Sequence, residues 1–122
     1  MFEVKVVRYV QAAHGLRNYR GEDEPIHEHH WRIEVEAASQ VLDESGCCID
    51  FHEVDRAFDR AMLPFKEKSF NDAPPFDELS PSAENIAKYL FEVLSEELTT
   101  DRVQITRVTA CEDDAHRASY SE

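Results

Sequence analysis

A strictly alternating run from His27 to Ala37 constrains the fold of this chain more than any other feature. Its even positions are charged or polar, whereas its odd positions are aromatic or mostly apolar: His27, His29, Trp31, Ile33, Val35 and Ala37. This period of two residues is typical of a β-strand with one buried face and one wet face. The run therefore predicts a long strand whose buried face begins with two imidazoles.

The size and charge of the chain limit the kinds of partner that it can have. It has 122 residues, of which 42% are apolar, and this suits one domain, residues 1–122, with a single core. The formal net charge of −13 argues against nucleic acid or an anionic membrane as the main partner, but not against a small anionic ligand. No apolar run could span a bilayer and no signal sequence is apparent, so a cytoplasmic protein is expected.

Hydrophobic periodicity predicts the other elements of the fold. Besides the alternating run, strands are expected at 2–13, 47–51 and 102–112, and helices at 52–63 and from an N-cap at Ser80 to residue 98. The order βββααβ predicts an α+β fold, an antiparallel sheet with two helices on one face. The three cysteines form no disulfide framework. Cys47 and Cys48 fall in the strand at 47–51, so one of them should face the core.

Three histidines are candidate metal ligands. His27 and His29 are two residues apart on a strand, so their rings point to the same face, while His30 points to the other. His14 ends the first strand and should lie opposite them if the two strands are antiparallel neighbours. Three neutral imidazoles on rigid strands, with a fourth position open, are suited to a catalytic zinc ion. An H-x-H pair by itself is more often a pair of surface histidines.

Six segments of the sequence, taken in order, match the signatures of a known family. They are "QAAHGL", "IHEHHW", "GCCIDF", "SFND", "SPSAENIAKYLFEVL" and "TACEDDAHRASY". They resemble the A-A-H-x-L, H-G-H-x-[FY], G-x-x-x-D-F, Y-L-N-D, P-[TS]-x-E-N and V-x-E-T signatures of the 6-pyruvoyl tetrahydropterin synthase and 6-carboxy-tetrahydropterin synthase family. The resemblance covers nearly the whole chain, and the spacing of the three histidines is its most specific part.

This resemblance implies an architecture and a substrate. The fold would be the tunnelling fold (T-fold), in which three subunits close their sheets into a barrel and two trimers form a homohexamer with sites at subunit interfaces. The substrate would be 7,8-dihydroneopterin triphosphate, whose side-chain hydroxyls are held by Zn²⁺ and whose pterin ring is held by a buried glutamate, here Glu112. Glu84 matches a second glutamate near the pterin. It could equally be a favourable charge at the start of a helix.

The sequence departs from the family at its usual catalytic residues. By alignment, Asp23 occupies the position of the base cysteine, Lys66 and Glu67 replace an Asp-His pair, and Glu28 replaces the glycine of H-G-H. In one subgroup, which releases 6-hydroxymethyl-dihydropterin, a glutamate three residues before the first histidine replaces the cysteine. Glu24 has that spacing and is the candidate base, with Asp23 and Glu67 as weaker candidates. The acids of the loop could also be only solvated charge.

Three hypotheses follow for the function. The first is a zinc-dependent lyase that acts on the side chain of 7,8-dihydroneopterin triphosphate, in folate, queuosine or tetrahydrobiopterin biosynthesis, with Glu24 as general base. The second is a hexamer that binds a pterin but has lost the chemistry. The third is an enzyme for a different pterin-like or purine-like substrate, in which Lys66 and Glu67 have new roles.

Overall fold

The computed structural model describes all residues, 1–122, as one sheet with two helices. The strands are β1 (Phe2–His14), β2 (His27–Ser39), β3 (Val103–Cys111) and β4 (Arg117–Ser121), and the helices are α1 (Phe51–Met62) and α2 (Ala83–Leu98). Short 3₁₀ turns at Leu63–Phe65 and Phe70–Asp72 lie between the helices. Neither helix is of a kind that could cross a membrane.

The sheet is antiparallel throughout, with the strand order β1-β2-β3-β4. Both helices pack on the face that carries the odd residues of β2. The core between them is apolar, and its fully buried large side chains include Trp31, Ile33, Phe58, Ile86, Leu90 and Leu94. Each such side chain stabilises the fold by about 1.5–3 kcal/mol through its removal from water. The predicted α+β class, an antiparallel sheet with two helices on one face, is confirmed.

The predicted strand at 47–51 is wrong, and the fourth strand of the sheet is instead Arg117–Ser121. The Asp43 carboxylate accepts hydrogen bonds from the backbone N–H groups of Ser45 and Cys47 and holds this stretch in a turn. Asp50 then caps α1 by accepting a hydrogen bond from the His52 N–H. Within this turn Cys48 is buried and Cys47 is exposed, so one cysteine does face the core, although no strand is formed.

The start of α2 also differs from the prediction. The N-cap is Ser82, whose hydroxyl accepts a hydrogen bond from the Asn85 N–H at 3.1 Å, and not Ser80. The Ser80 hydroxyl instead accepts a hydrogen bond from the backbone N–H of Arg17. Ser80 therefore ties the loop after β1 to the segment before α2, and Pro81 lies between the two serines, outside the helix.

Candidate functional site

The histidine cluster lies where β1 ends and β2 begins. The strand register pairs His14 with His27 and Ala12 with His29, so all three imidazoles share the helix-covered face at one end of the sheet. Their ring centroids are 4.8–5.1 Å apart. Each ring offers one nitrogen within 4.8 Å of the other two, so the three could together hold a metal ion. The structure thus brings together the three residues that the sequence predicts as metal ligands.

Backbone carbonyls orient two of the three rings. His14 Nδ1 lies 2.7 Å from the carbonyl oxygen of Pro81, and His27 Nδ1 lies 2.8 Å from that of Pro25. A carbonyl oxygen can only accept, so in each neutral ring Nδ1 carries the proton and Nε2 carries a lone pair. Such hydrogen bonds fix the tautomer of histidines that bind metals. His29 Nε2 is buried without any hydrogen-bond partner, so this nitrogen is also available as a metal ligand.

Burial keeps the ring of His14 neutral. Its side chain is 2% exposed, and this burial lowers its pKa, although the hydrogen bond to Pro81 opposes the shift. Trp31 packs edge-on against His14 at 5.0 Å and donates its indole N–H to the carbonyl of Ala12. A neutral, rigidly packed imidazole is the form that binds a metal ion.

Glu112 approaches the cluster from the end of β3. Because Arg32 pairs with Cys111, the next residue falls on the same face as Trp31 and the histidines. One carboxylate oxygen of Glu112 lies 3.7 Å from His14 Nε2 and the other lies 3.8 Å from His29 Nε2. Its side chain is 28% exposed, so it borders both the cluster and the solvent.

The loop between β1 and β2 folds back and brings Glu24 beside His27. The Glu24 N–H donates to the carbonyl of Leu16 at 2.8 Å, and the Leu16 N–H donates to Glu24 Oε1 at 3.1 Å. The same carboxylate oxygen lies 3.8 Å from His27 Nδ1. A Cβ atom at Gly15 would lie only 2.5 Å from the carbonyl oxygen of Glu24, so the loop can close this tightly only over a glycine.

A clamp that sequence reasoning missed holds the chain just after His14. The side chain of Asn71 accepts a hydrogen bond from the Gly15 N–H and donates one to the Gly15 carbonyl, both at 2.9 Å. Arg17 reaches across the same region and donates to the carbonyl of Phe76 at 2.7 Å. Asn71 belongs to the "SFND" segment, so its place in a family motif was the only signal in the sequence.

The other candidate residues lie apart from the histidines. Asp23 is exposed and accepts a hydrogen bond from the Asn18 N–H, and Glu84 is exposed in the first turn of α2. Lys66 and Glu67 border a groove of about 480 Å³ beside β1. His30 is exposed on the opposite face, edge-on to Tyr9. None of these five side chains makes a hydrogen bond or ion pair with the cluster.

The fold and the site together define an α+β protein of the T-fold class with a candidate metal centre of three histidines. The family model described as 6-pyruvoyl tetrahydropterin synthase matches residues 3–122, so the chain belongs to the 6-pyruvoyl tetrahydropterin synthase family. Members of this family are typically lyase-type enzymes that depend on a metal ion. No curated protein matches this sequence significantly.

Solved structures with the same fold have diverged far in sequence. The 6-pyruvoyl tetrahydropterin synthase of Caenorhabditis elegans superposes with a TM-score of 0.84 at 19% identity, over 99% of this chain and 95% of that one. The enzyme of Plasmodium vivax gives 0.73 at 14% identity, over 100% and 99%. An uncharacterized protein of Wolinella succinogenes gives 0.63 at 16% identity, over 100% and 99%. At these identities the likeness shows the fold.

Proposed function

We propose that this protein is a zinc-dependent lyase that acts on the side chain of 7,8-dihydroneopterin triphosphate. The observation that carries the proposal is the arrangement of three converging imidazoles with two carboxylates beside them, Glu24 near His27 and Glu112 near His14 and His29. Membership of the 6-pyruvoyl tetrahydropterin synthase family supplies the substrate class.

The histidines would hold the metal ion through their Nε2 atoms. Three nitrogen ligands of rigid strands, two of them oriented by carbonyl oxygens, fit the donor set of a catalytic zinc site. When bound there, zinc would polarise the hydroxyl oxygens of the substrate side chain. The strands fix the three rings in advance, so little ordering is needed when metal and substrate bind.

The two carboxylates would divide binding and catalysis between them. Glu112 can accept two parallel N–H hydrogen bonds from the amidine-like edge of a pterin ring. Glu24 would accept a proton from the carbon side chain of the substrate, as general base. A catalytic glutamate has a precedent in the family, because two solved variants of the Plasmodium vivax enzyme replace a glutamate that is a catalytic residue of that protein. Asp23 and Glu67, the weaker candidates, make no hydrogen bond or ion pair with the histidines.

The assembly that we propose is a cytoplasmic homohexamer of two stacked trimers. In one chain, β1 and β4 are the open edges of the sheet, and such edges invite pairing unless they are covered. Closing three sheets into a barrel would remove them. The face of the sheet that carries no helix would then line the barrel.

Binding without turnover is the alternative that one observation favours. The positions of the usual Asp-His pair hold Lys66 and Glu67, and these border the groove beside β1 rather than the histidine cluster. If no other group supplies the missing acid–base function, the protein would recognise a pterin and release it unchanged.

Turnover of 7,8-dihydroneopterin triphosphate by the zinc-loaded protein tests the proposal. Glu24→Gln keeps the size of the side chain but removes its basicity, and it should lower the rate by roughly 10²–10⁴-fold, with zinc content and ring affinity unchanged. Asp23→Asn, one residue away, is the matched control and should keep the parental rate. Equal rates for Glu24→Gln and the parent would show that Glu24 is not the base. A parent that binds the pterin without turnover would establish the binding alternative.

A further inference from the structure

The carboxylate of Glu112 faces the nitrogens of His14 and His29 but is too far from both for a hydrogen bond. The proton of His14 is on Nδ1, where the carbonyl of Pro81 accepts it, so the Nε2 atom that faces Glu112 presents a lone pair. The second carboxylate oxygen faces His29 Nε2, which has no hydrogen-bond partner. The Nε2 lone pair of His14 and the Glu112 carboxylate are both acceptors, so they repel each other, and a cation between them reverses the sign of the interaction.

We propose that Glu112 is the fourth ligand of the metal ion whenever no substrate is bound, and that it leaves the metal to accept hydrogen bonds from the incoming heterocycle. The first half of this proposal needs only a metal ion held by His14, His27 and His29. The second half rests on the proposed pterin-binding function.

The distances fit a shared metal ion. Ligand atoms at about 2.0–2.2 Å from a tetrahedral zinc ion are about 3.3–3.6 Å from one another. One carboxylate oxygen of Glu112 lies 3.7 Å from His14 Nε2 and the other lies 3.8 Å from His29 Nε2. Each of these distances exceeds the spacing of two ligands by only a few tenths of an ångström, so a rotation of the carboxylate that turns one oxygen towards the centre of the cluster would make it a ligand. The backbone of Glu112 is anchored by its N–H, which donates to the carbonyl of His116 at 3.0 Å. Movement onto and off the metal is therefore a matter of side-chain rotation.

This arrangement would keep the metal unreactive until a ligand arrives. A site with three histidines and one carboxylate has no open position, so it binds no water and activates none. A pterin would offer N–H donors to the carboxylate and side-chain hydroxyls to the metal at the same time. Each group then loses one partner and gains another, and the exchange leaves no buried charge unpaired.

Cobalt-substituted protein makes the coordination visible without turnover. Co²⁺ reports its ligands through its visible absorption, and azide binds to it only where a position is open. In the parent, azide must displace Glu112, so it should bind on the order of tenfold more weakly than in Glu112→Gln. Glu28→Gln is the matched control, because Glu28 lies between His27 and His29 but on the other face, where it accepts a hydrogen bond from Gln11. It should behave as the parent does.

The outcomes separate this proposal from the proposed function. If Glu112→Gln and Glu112→Ala both have the cobalt spectrum and the azide affinity of the parent, Glu112 is not a ligand and the proposal is wrong. Glu112→Ala covers the case in which the glutamine amide oxygen itself stays on the metal. Adding 7,8-dihydroneopterin to the parent should change the spectrum as azide does. If it does not bind, while the azide difference is present, the pterin-binding function and the exchange fail but ligation by Glu112 stands.

Discussion

Glu34 is a carboxylate buried on the face of the sheet that carries no helix, and its neighbours decide its ionisation. Its side chain is 6% exposed and lies 3.0 Å from Lys5 Nζ, while Arg32 Nε donates to it at 2.8 Å. Burial alone would raise its pKa, but the hydrogen bonds from Lys5 and Arg32 outweigh this and hold the pKa below its usual value.

This lowered pKa predicts a pH dependence of stability. A carboxylate whose pKa is lower in the folded state stabilises the protein above its unfolded pKa of about 4.3, and the contribution is lost as pH falls through the folded pKa. Glu34→Gln should therefore lower the free energy of unfolding by about 1–3 kcal/mol at pH 7, and the difference from the parent should shrink below about pH 4. Urea unfolding at several pH values measures it. The control is Glu36→Gln, because Glu36 is 30% exposed and lies 4.0 Å from Arg107. A difference from the parent that does not vary with pH would contradict the argument.

A second prediction distinguishes His27, a proposed zinc ligand, from the nearby His30. Zinc that binds only the folded state raises its stability by about 2.7 kcal/mol at one hundred times its Kd, which raises Tm by several degrees. His27→Ala removes one proposed ligand, and its side chain is 40% exposed, so the fold should survive. The Tm increase on adding zinc to metal-free protein should largely disappear in this variant. His30→Ala, on the opposite face, should keep the increase. An equal loss in both variants would mean that zinc binds elsewhere.

Among the elements, the loop between β1 and β2 is held in place by a glycine and an asparagine. Gly15→Ala would place a methyl group 2.5 Å from the carbonyl oxygen of Glu24, so the loop must move away from His27. The expected results are a loss of about 1–3 kcal/mol in stability and a fall in turnover. Gly21→Ala is the control from the same loop, since Gly21 has a φ of 86° with nothing within 4 Å. It should cost about 1 kcal/mol and leave turnover unchanged, and equal turnover in both variants would contradict a role for loop closure.

Long periodic elements could be predicted from the sequence, whereas short ones could not. The alternation in β2 and the helical spacing in α1 and α2 extend over many residues, so each has a clear period. The run at 47–51 is only five residues long, and the side chains of Asp43 and Asp50 draw its backbone into a turn and a helix cap. The strand Arg117–Ser121 is equally short and follows a polar turn, so its sequence has no clear period and predicts no strand.

The same distinction applies to the site. The three histidines could be predicted to converge, because side-chain direction follows from strand period and antiparallel pairing. The carbonyls of Pro25 and Pro81 that orient two of the rings could not, because every residue carries a carbonyl and only the fold selects one. The approach of Glu112 to the histidines depends on its rotamer, which the sequence does not determine. Asn71 was missed for a related reason, since its partners are backbone atoms.

For the whole molecule, the open strand edges make assembly testable. A strand at the edge of a sheet offers unpaired N–H and C=O groups, and β1 and β4 are both edges in one chain. If three sheets close into a barrel and two barrels stack, light scattering at micromolar concentration should give about six times the chain mass of 14.1 kDa. A monomer at that concentration would rule the hexamer out.

Proline substitutions in β4 then test whether its outer edge makes the contact. Successive N–H groups of an antiparallel strand point to opposite neighbours, so of Ala118 and Ser119 one donates towards β3 and the other towards the open edge. Proline removes the N–H group in both cases. One of the two variants, Ala118→Pro or Ser119→Pro, should weaken the fold itself. The other should keep the parental circular dichroism but fall to a lower mass, because only the contact between subunits has lost a hydrogen bond.

If both variants keep the full mass, the subunits do not pair through this edge. If both unfold, single N–H deletions in β1 at Lys5 and Val6, made by ester substitution in place of proline, repeat the comparison at the other edge with less strain.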